Sequence, residues 1–152
     1  MATTACRRHL NLHGALNAHQ PEEVIIQEAD RVNGVSTIAL FEQLLRENQA
    51  KTAIYLIADN ASYYHAEVVR NWLAQHPQVT LIHLPPYSPN LNLIERLWKF
   101  LRKRVIDLHF YPSFKLFRAA VLDFFTQIRR YTTELRSLMR HNFQRLPALE
   151  MV

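Results

Sequence analysis

Ala53-Ile54-Tyr55-Leu56-Ile57-Ala58-Asp59 is the stretch on which the fold reading turns. An unbroken apolar run that ends on an acid suggests a strand buried on both faces in the middle of an α/β sheet. Val79 to Leu84 repeats the pattern. Between the two runs, Tyr64 to His76 places Val68, Val69, Trp72 and Leu73 at helical spacing. Upstream, Leu10, Leu12 and Gly14 alternate with His9, Asn11 and His13, which predicts a strand over His9–Asn17. A turn containing Pro21 leads into Glu23–Ala29, whose Val24-Ile25-Ile26 run predicts a hairpin partner. Gly34 to Asn48 reads as a helix with Ser36 as its cap and Ile38, Phe41, Leu44 and Leu45 inward.

Downstream, Pro85, Pro86 and Pro89 exclude helix and sheet, because proline removes donors and fixes φ. A helix follows from Asn92 to Val105 or Ile106, then two more over about 113–130 and 132–142. The order β-β-α-β-α-β, followed by these helices, predicts an α/β fold, a mixed sheet flanked by helices. We read residues 1–152 as a single domain, with a core over about 7–106 and C-terminal helices over about 113–142.

Composition narrows the function classes. Hydrophobic residues make up 49% of the 152, which excludes disorder throughout. Only two glycines occur, which argues against Gly-rich nucleotide loops. A single cysteine excludes a disulfide framework and a Cys-based zinc site. Residues 1–8 lack the apolar core of a signal peptide, and no run reaches transmembrane length. The expected location is therefore cytoplasmic. The net charge of +5 fits a polyanionic partner but is weak evidence alone; Lys99, Arg102, Lys103 and Arg104 within six positions say more.

Two acids stand out. Asp59 ends the buried run, where α/β sheets build sites, but it could equally form an Asx-turn or cap the next helix. Glu95 lies in the first turn after the proline loop; Asn92-x-x-Glu95 has the shape of a capping box, which does not exclude metal binding. Ile94, Leu97, Trp98, Leu101 and Val105 form one stripe of this helix, leaving Arg96, Lys99, Arg102 and Lys103 away from it, either as a solvated face or as phosphate contacts. His9 and His13 share a strand face, expected toward solvent or a further strand. Ser88 has no His/Asp relay at readable spacing, so serine nucleophile chemistry is not supported.

Leu84-Pro85-Pro86-Tyr87-Ser88-Pro89-Asn90-Leu91-Asn92-Leu93-Ile94-Glu95-Arg96-Leu97-Trp98 closely resembles the signature around the last catalytic carboxylate of DDE transposases of the mariner superfamily, which includes bacterial insertion sequences. Tyr55 to Ala61, with His65, resembles the strand that carries their second catalytic aspartate, and Glu95 follows Asp59 by 36 positions, a spacing of that family's class. The resemblance implies a ribonuclease-H-like fold and metal-dependent DNA strand cleavage and strand transfer. By it, Asp59 and Glu95 are catalytic and ligate Mg²⁺ or Mn²⁺, with Asn60, His65 and Asn92 as site neighbours. Tyr87, Arg96, Lys99, Arg102 and Lys103 would contact DNA. The implied partners are transposon-end and target DNA and further copies of the chain, at the bacterial nucleoid. The family's first aspartate lies on a central strand, yet Met1 to Arg8 contain no acid and Glu22, Glu23, Glu28 and Asp30 fall on or after the second hairpin strand. The reading therefore expects an N-terminal truncation, with the first strand and the helix-turn-helix region supplied by a separate N-terminal polypeptide. The alternative is a catalytically inactive transposase remnant, at most a weak DNA-binding or interaction module. An unrelated nuclease of the same fold ranks third.

Overall fold

The computed structural model describes residues 8–88 and 91–140. The elements are β1 (Leu12–Leu16), β2 (Val24–Glu28), α1 (Gly34–Glu47), β3 (Ile54–Ala58), a 3₁₀ turn (Ser62–His65), α2 (Glu67–Gln75), β4 (Val79–His83), α3 (Leu93–Leu101), α4 (Phe114–Thr126) and α5 (Thr132–Arg140). The order matches the expected one. Residues 1–7, Pro89, Asn90 and the 141–142 end of the last expected helix lie outside the described residues.

β1 and β2 pair antiparallel from Leu12↔Glu28 to Leu16↔Val24. The turn is built by Asn17, whose Oδ1 accepts the His19 amide at 2.9 Å, an Asx-turn. β3 and β4 pair parallel from Ile54↔Val79 to Ala58↔His83, with α2 as the crossover. The two pairs are separate two-stranded sheets; among the described residues no strand joins them.

Each face finds its own core. Phe41, Val69, Trp72 and Val79 are buried between α1, α2 and the parallel pair, with Leu56 and Leu81 against them. Leu97, Leu101, Val121, Phe124, Ile128, Leu135 and Met139 form the second core, onto which Leu10, Leu12, Leu16 and Val24 of the hairpin fold. Gly14 lies in β1 for space: a Cβ there would stand 2.6 Å from Ile26 Cδ1 and 3.2 Å from Trp98 Cη2. Helix α3 therefore rests close on β1.

Four expectations change. β3 is covered on one face only: Tyr55 and Ile57 are 68% and 59% exposed, and Ile82 of β4 is 44% exposed. The run is continuous in sequence, but no described element lies over that face. Ser36 is not the cap of α1; Asn33 is, its Oδ1 accepting the Ser36 amide at 3.0 Å while Ser36 Oγ accepts the Asn33 amide at 2.8 Å. The helix expected from Tyr64 starts at Glu67, because the 3₁₀ turn takes up Ser62–His65. The helix expected over 113–130 ends at Thr126 and gives way to a 3₁₀ turn, Ile128–Tyr131. The extension of α3 holds, although Arg102–Ile106 widens to π geometry, the Asp107 amide donating to the Arg102 carbonyl at 2.8 Å.

Candidate active site

Asp59 follows the last residue of β3. One oxygen, Oδ1, accepts the Ala61 amide at 3.0 Å, so the Asx-turn expected as one alternative is formed. That turn occupies a single carboxylate oxygen and orients the other. The next residues tie themselves down as well. Asn60 Oδ1 lies 2.5 Å from His65 Nε2, and the His65 ring stacks on His83 with centroids 4.3 Å apart. His83 Nδ1 in turn lies 3.4 Å from the Asp59 carbonyl. Three of the candidate residues, Asp59, Asn60 and His65, thus form one local cluster.

Glu95 lies in the first turn of α3 and is partly buried. The capping box does not form: Asn92 is the N-cap and is buried, but its side chain makes no capping hydrogen bond. Glu95 is thereby left to face the neighbouring elements and complements the helix dipole.

The charges of both acids act on Tyr63. The phenol of this half-buried residue is pushed above its ordinary value first by burial, then by the charge of Asp59, with a further contribution from Glu95. One hydroxyl therefore senses both carboxylates, although they belong to different elements. Tyr64 is also raised, mainly by burial, then by its coupling to the Tyr63 phenol and by the charge of Asp59. Its hydroxyl lies 3.3 Å from His13 Nε2. His13 is 5% exposed and its basicity is lowered by burial, Asp59 acting weakly in the opposite direction. It therefore faces the 3₁₀ turn, not solvent; His9 remains exposed as expected. The sequence showed Tyr63-Tyr64 beside Asp59, but nothing in it signalled that β1 would supply the residue beneath them.

The remaining hairpin acids are committed elsewhere. Glu22 pairs with Arg136, and Glu28 accepts from Arg118 Nη2 at 2.6 Å. Among the described residues, no group of three or more His, Cys, Asp or Glu is placed to hold a metal. The oxygen chemistry of Asp59 and Glu95 nevertheless suits a hard divalent cation, which retains waters and takes its other ligands from substrate.

Lys99, Arg102 and Lys103 are exposed along α3 and its extension. Arg96 instead donates from Nη1 to the Leu138 carbonyl at 2.8 Å, tying α3 to α5. Arg104 pairs with Glu134 and lies over the Phe100 and Tyr131 rings. Tyr87 is fully exposed and has φ 60°, a strained conformation for a bulky residue. No helix among the described residues is long and apolar enough to cross a membrane.

Known proteins point the same way. A family described as "DDE superfamily endonuclease" matches residues 1–118. A 39 kDa protein of insertion element IS630 from Shigella sonnei is 37% identical over 76 residues, covering 47% of this chain and 22% of that one. The Mos1 mariner paired end complex with Mn superposes with a TM-score of 0.62 at 16% identity, over 92% of this chain and 44% of that one. The Mos1 Strand Transfer Complex gives a TM-score of 0.62 at 17% identity, over 91% and 42%. The chain thus spans less than half the length of these relatives, and its fold is ribonuclease-H-like.

Proposed function

The chain belongs to the DDE superfamily endonucleases, in the group of the IS630 and mariner transposases, and on that premise we propose that it is the catalytic part of a DNA transposase that cleaves and joins DNA strands by phosphoryl transfer. The observation that carries this reading is the placing of two acids at element ends, Asp59 after β3 with its carboxylate fixed by the Ala61 amide and Glu95 in the first turn of α3, with both charges acting on the Tyr63 phenol. These two acids would hold Mg²⁺ or Mn²⁺. Asp59 and Glu95 would thereby place a cation whose chemistry, once bound, would be activation of the attacking oxygen and neutralisation of charge on the leaving oxygen of an in-line displacement at phosphorus.

The chain's own residues supply the rest. The Asp59-Ala61 and Asn60-His65 contacts hold the Asp59 carboxylate in one orientation before any ligand arrives, which lowers the ordering cost of binding. Lys99, Arg102 and Lys103 would meet phosphates of transposon-end and target DNA, and Tyr87 would stand out of the proline loop toward a strand. Arg96 would act mainly through its bond to α5, holding Glu95's helix in place. Asn92, buried at the start of α3, would be a site neighbour of Glu95. The working location is the nucleoid DNA of the bacterial cytoplasm, and the active complex would hold more than one copy.

The third acid and the strand that carries it would come from a separate N-terminal polypeptide. Two unjoined strand pairs, an uncovered apolar face at Tyr55, Ile57 and Ile82, and the pairing of Glu22 and Glu28 with arginines support this. The second reading is a catalytically inactive transposase remnant, at most a weak DNA-binding or interaction module.

The test is Mn²⁺-dependent cleavage of transposon-end DNA by the chain combined with a polypeptide expressed from the upstream frame. Cleavage by the combination, none by the chain alone, and loss on Asp59→Asn or Glu95→Gln are expected. Activity that survives either substitution would refute the site assignment, and no cleavage by the combination would favour the remnant.

A further inference from the structure

Two neighbouring residues of β1 face opposite ways, and each meets an element that carries one of the acids. Gly14 faces α3, where it leaves room for Trp98, one turn beyond Glu95. His13 faces the 3₁₀ turn that follows Asp59: Nε2 lies 3.3 Å from the Tyr64 hydroxyl, and its ring packs edge-on against Tyr63 at 5.7 Å. No ladder hydrogen bond joins the hairpin to the β3-β4 pair among the described residues. The His13–Tyr64 contact is thus a polar link from the hairpin to the turn that follows β3, beside the packing of both on α1. It is also well sheltered, with His13 95% removed from solvent, since its exposure is 5%. His13 Nδ1 is buried with no partner among the described residues, so the imidazole is held through Nε2, by the Tyr64 hydroxyl.

We propose that His13 and Tyr64 are positioning residues, whose contact sets where the Asp59 segment stands relative to Glu95 and so tunes the affinity of the pair for a divalent cation. This rests on the metal-binding reading of the two acids. Neither residue touches the cation; they act by fixing the turn that Asp59 opens. Both groups are uncharged at neutral pH, because burial opposes protonation of His13 and ionisation of Tyr64. The bridge therefore adds no formal charge beside the carboxylates.

The test is Mn²⁺ binding by the 152-residue chain, followed by electron paramagnetic resonance of the free ion, with thermal melting alongside. Tyr64→Phe keeps the ring and deletes the hydroxyl. It is expected to weaken Mn²⁺ binding about fivefold, the effect of one ordinary buried hydrogen bond. His13→Leu is expected to weaken it similarly, and the double variant no further than either single one, because both remove the same contact. A merely structural role would lower the melting temperature and leave the affinity of the folded chain unchanged. Wild-type affinity in both variants, with binding abolished by Asp59→Asn and Glu95→Gln, would overturn the positioning role and leave the metal site standing. Binding unaffected by Asp59→Asn and Glu95→Gln would sink the metal site and the positioning role with it.

Discussion

Gly14→Ala tests the joint between the hairpin and the helix that carries Glu95. No described glycine has a positive φ, so the backbone at Gly14 accepts alanine without strain. Replacing glycine where the conformation allows it stabilises by about 0.4–1 kcal/mol through the unfolded chain. The new methyl, however, would lie 2.6 Å from Ile26 Cδ1, 3.1 Å from the Ile25 carbonyl oxygen and 3.2 Å from Trp98 Cη2. The Ile26 ethyl arm can rotate away; the carbonyl oxygen and the indole, anchored in sheet and core, yield less. Overpacking of this kind costs about 1–3 kcal/mol. The crowding outweighs the entropic gain, and the net loss is about 1–2 kcal/mol, a fall in melting temperature of roughly 2–8 °C for a chain of this size. Urea unfolding followed by tryptophan fluorescence reads it, Trp98 being in contact. Ile26→Val, which deletes the atom at 2.6 Å, should reduce the cost of Gly14→Ala in a double-mutant cycle without abolishing it, since the other two contacts remain. A Gly14→Ala chain as stable as the parent would refute the close approach of α3 to β1.

Three further outcomes are expected. Leu97→Ala empties a fully buried position one turn from the Glu95 end of α3 and should cost about 2–5 kcal/mol in chemical denaturation; a loss under about 1 kcal/mol would contradict the burial. Asn33→Ala removes the Asn33 Oδ1 half of the α1 capping box, leaving the Asn33 amide on Ser36 Oγ, and should cost about 1 kcal/mol, while Asn33→Ser, which keeps a capping oxygen, should cost little; equal losses would show that the cap is not what matters. Stability should fall in two stages on acidification. The buried His13 has a folded value below its ordinary 6.5, so the unfolded chain takes up the proton first and stability declines from about that pH downward, until the folded value is passed. Glu22, held down chiefly by its bond to Arg136, and Glu28, held down by Arg118, contribute stability that is present above 4.5 and lost as pH falls through their folded values. Urea titrations from pH 8 to pH 3 check both limbs; His13→Gln should flatten the upper one and Arg136→Ala the lower, and an unchanged slope in either variant counts against the corresponding group.

The order of elements, the hairpin, the parallel strand pair and the helical start of α3 were legible in the sequence, because period-two alternation, continuous apolar runs and proline punctuation are local signals. So were Asp59, Asn60 and Glu95, which lie next to strong strand and loop boundaries. Helix starts were misjudged where capping chemistry decides: Ser36 is an equally good cap by type, and only the backbone at Asn33, extended and not helical, makes Asn33 the cap. The burial of β3 was overread, since continuous apolarity reports what a strand can tolerate, not which elements cover it. Arg96 looked like its exposed neighbours Lys99, Arg102 and Lys103, and only the arrival of the Leu138 carbonyl, 42 residues later, ties it to α5. The same holds for the candidate site. Its acids were named by resemblance to a family signature, but the support of that region by His13, 51 residues before Tyr64, depends on long-range contacts. Such contacts leave no periodic trace along the chain; tertiary packing alone brings those residues together.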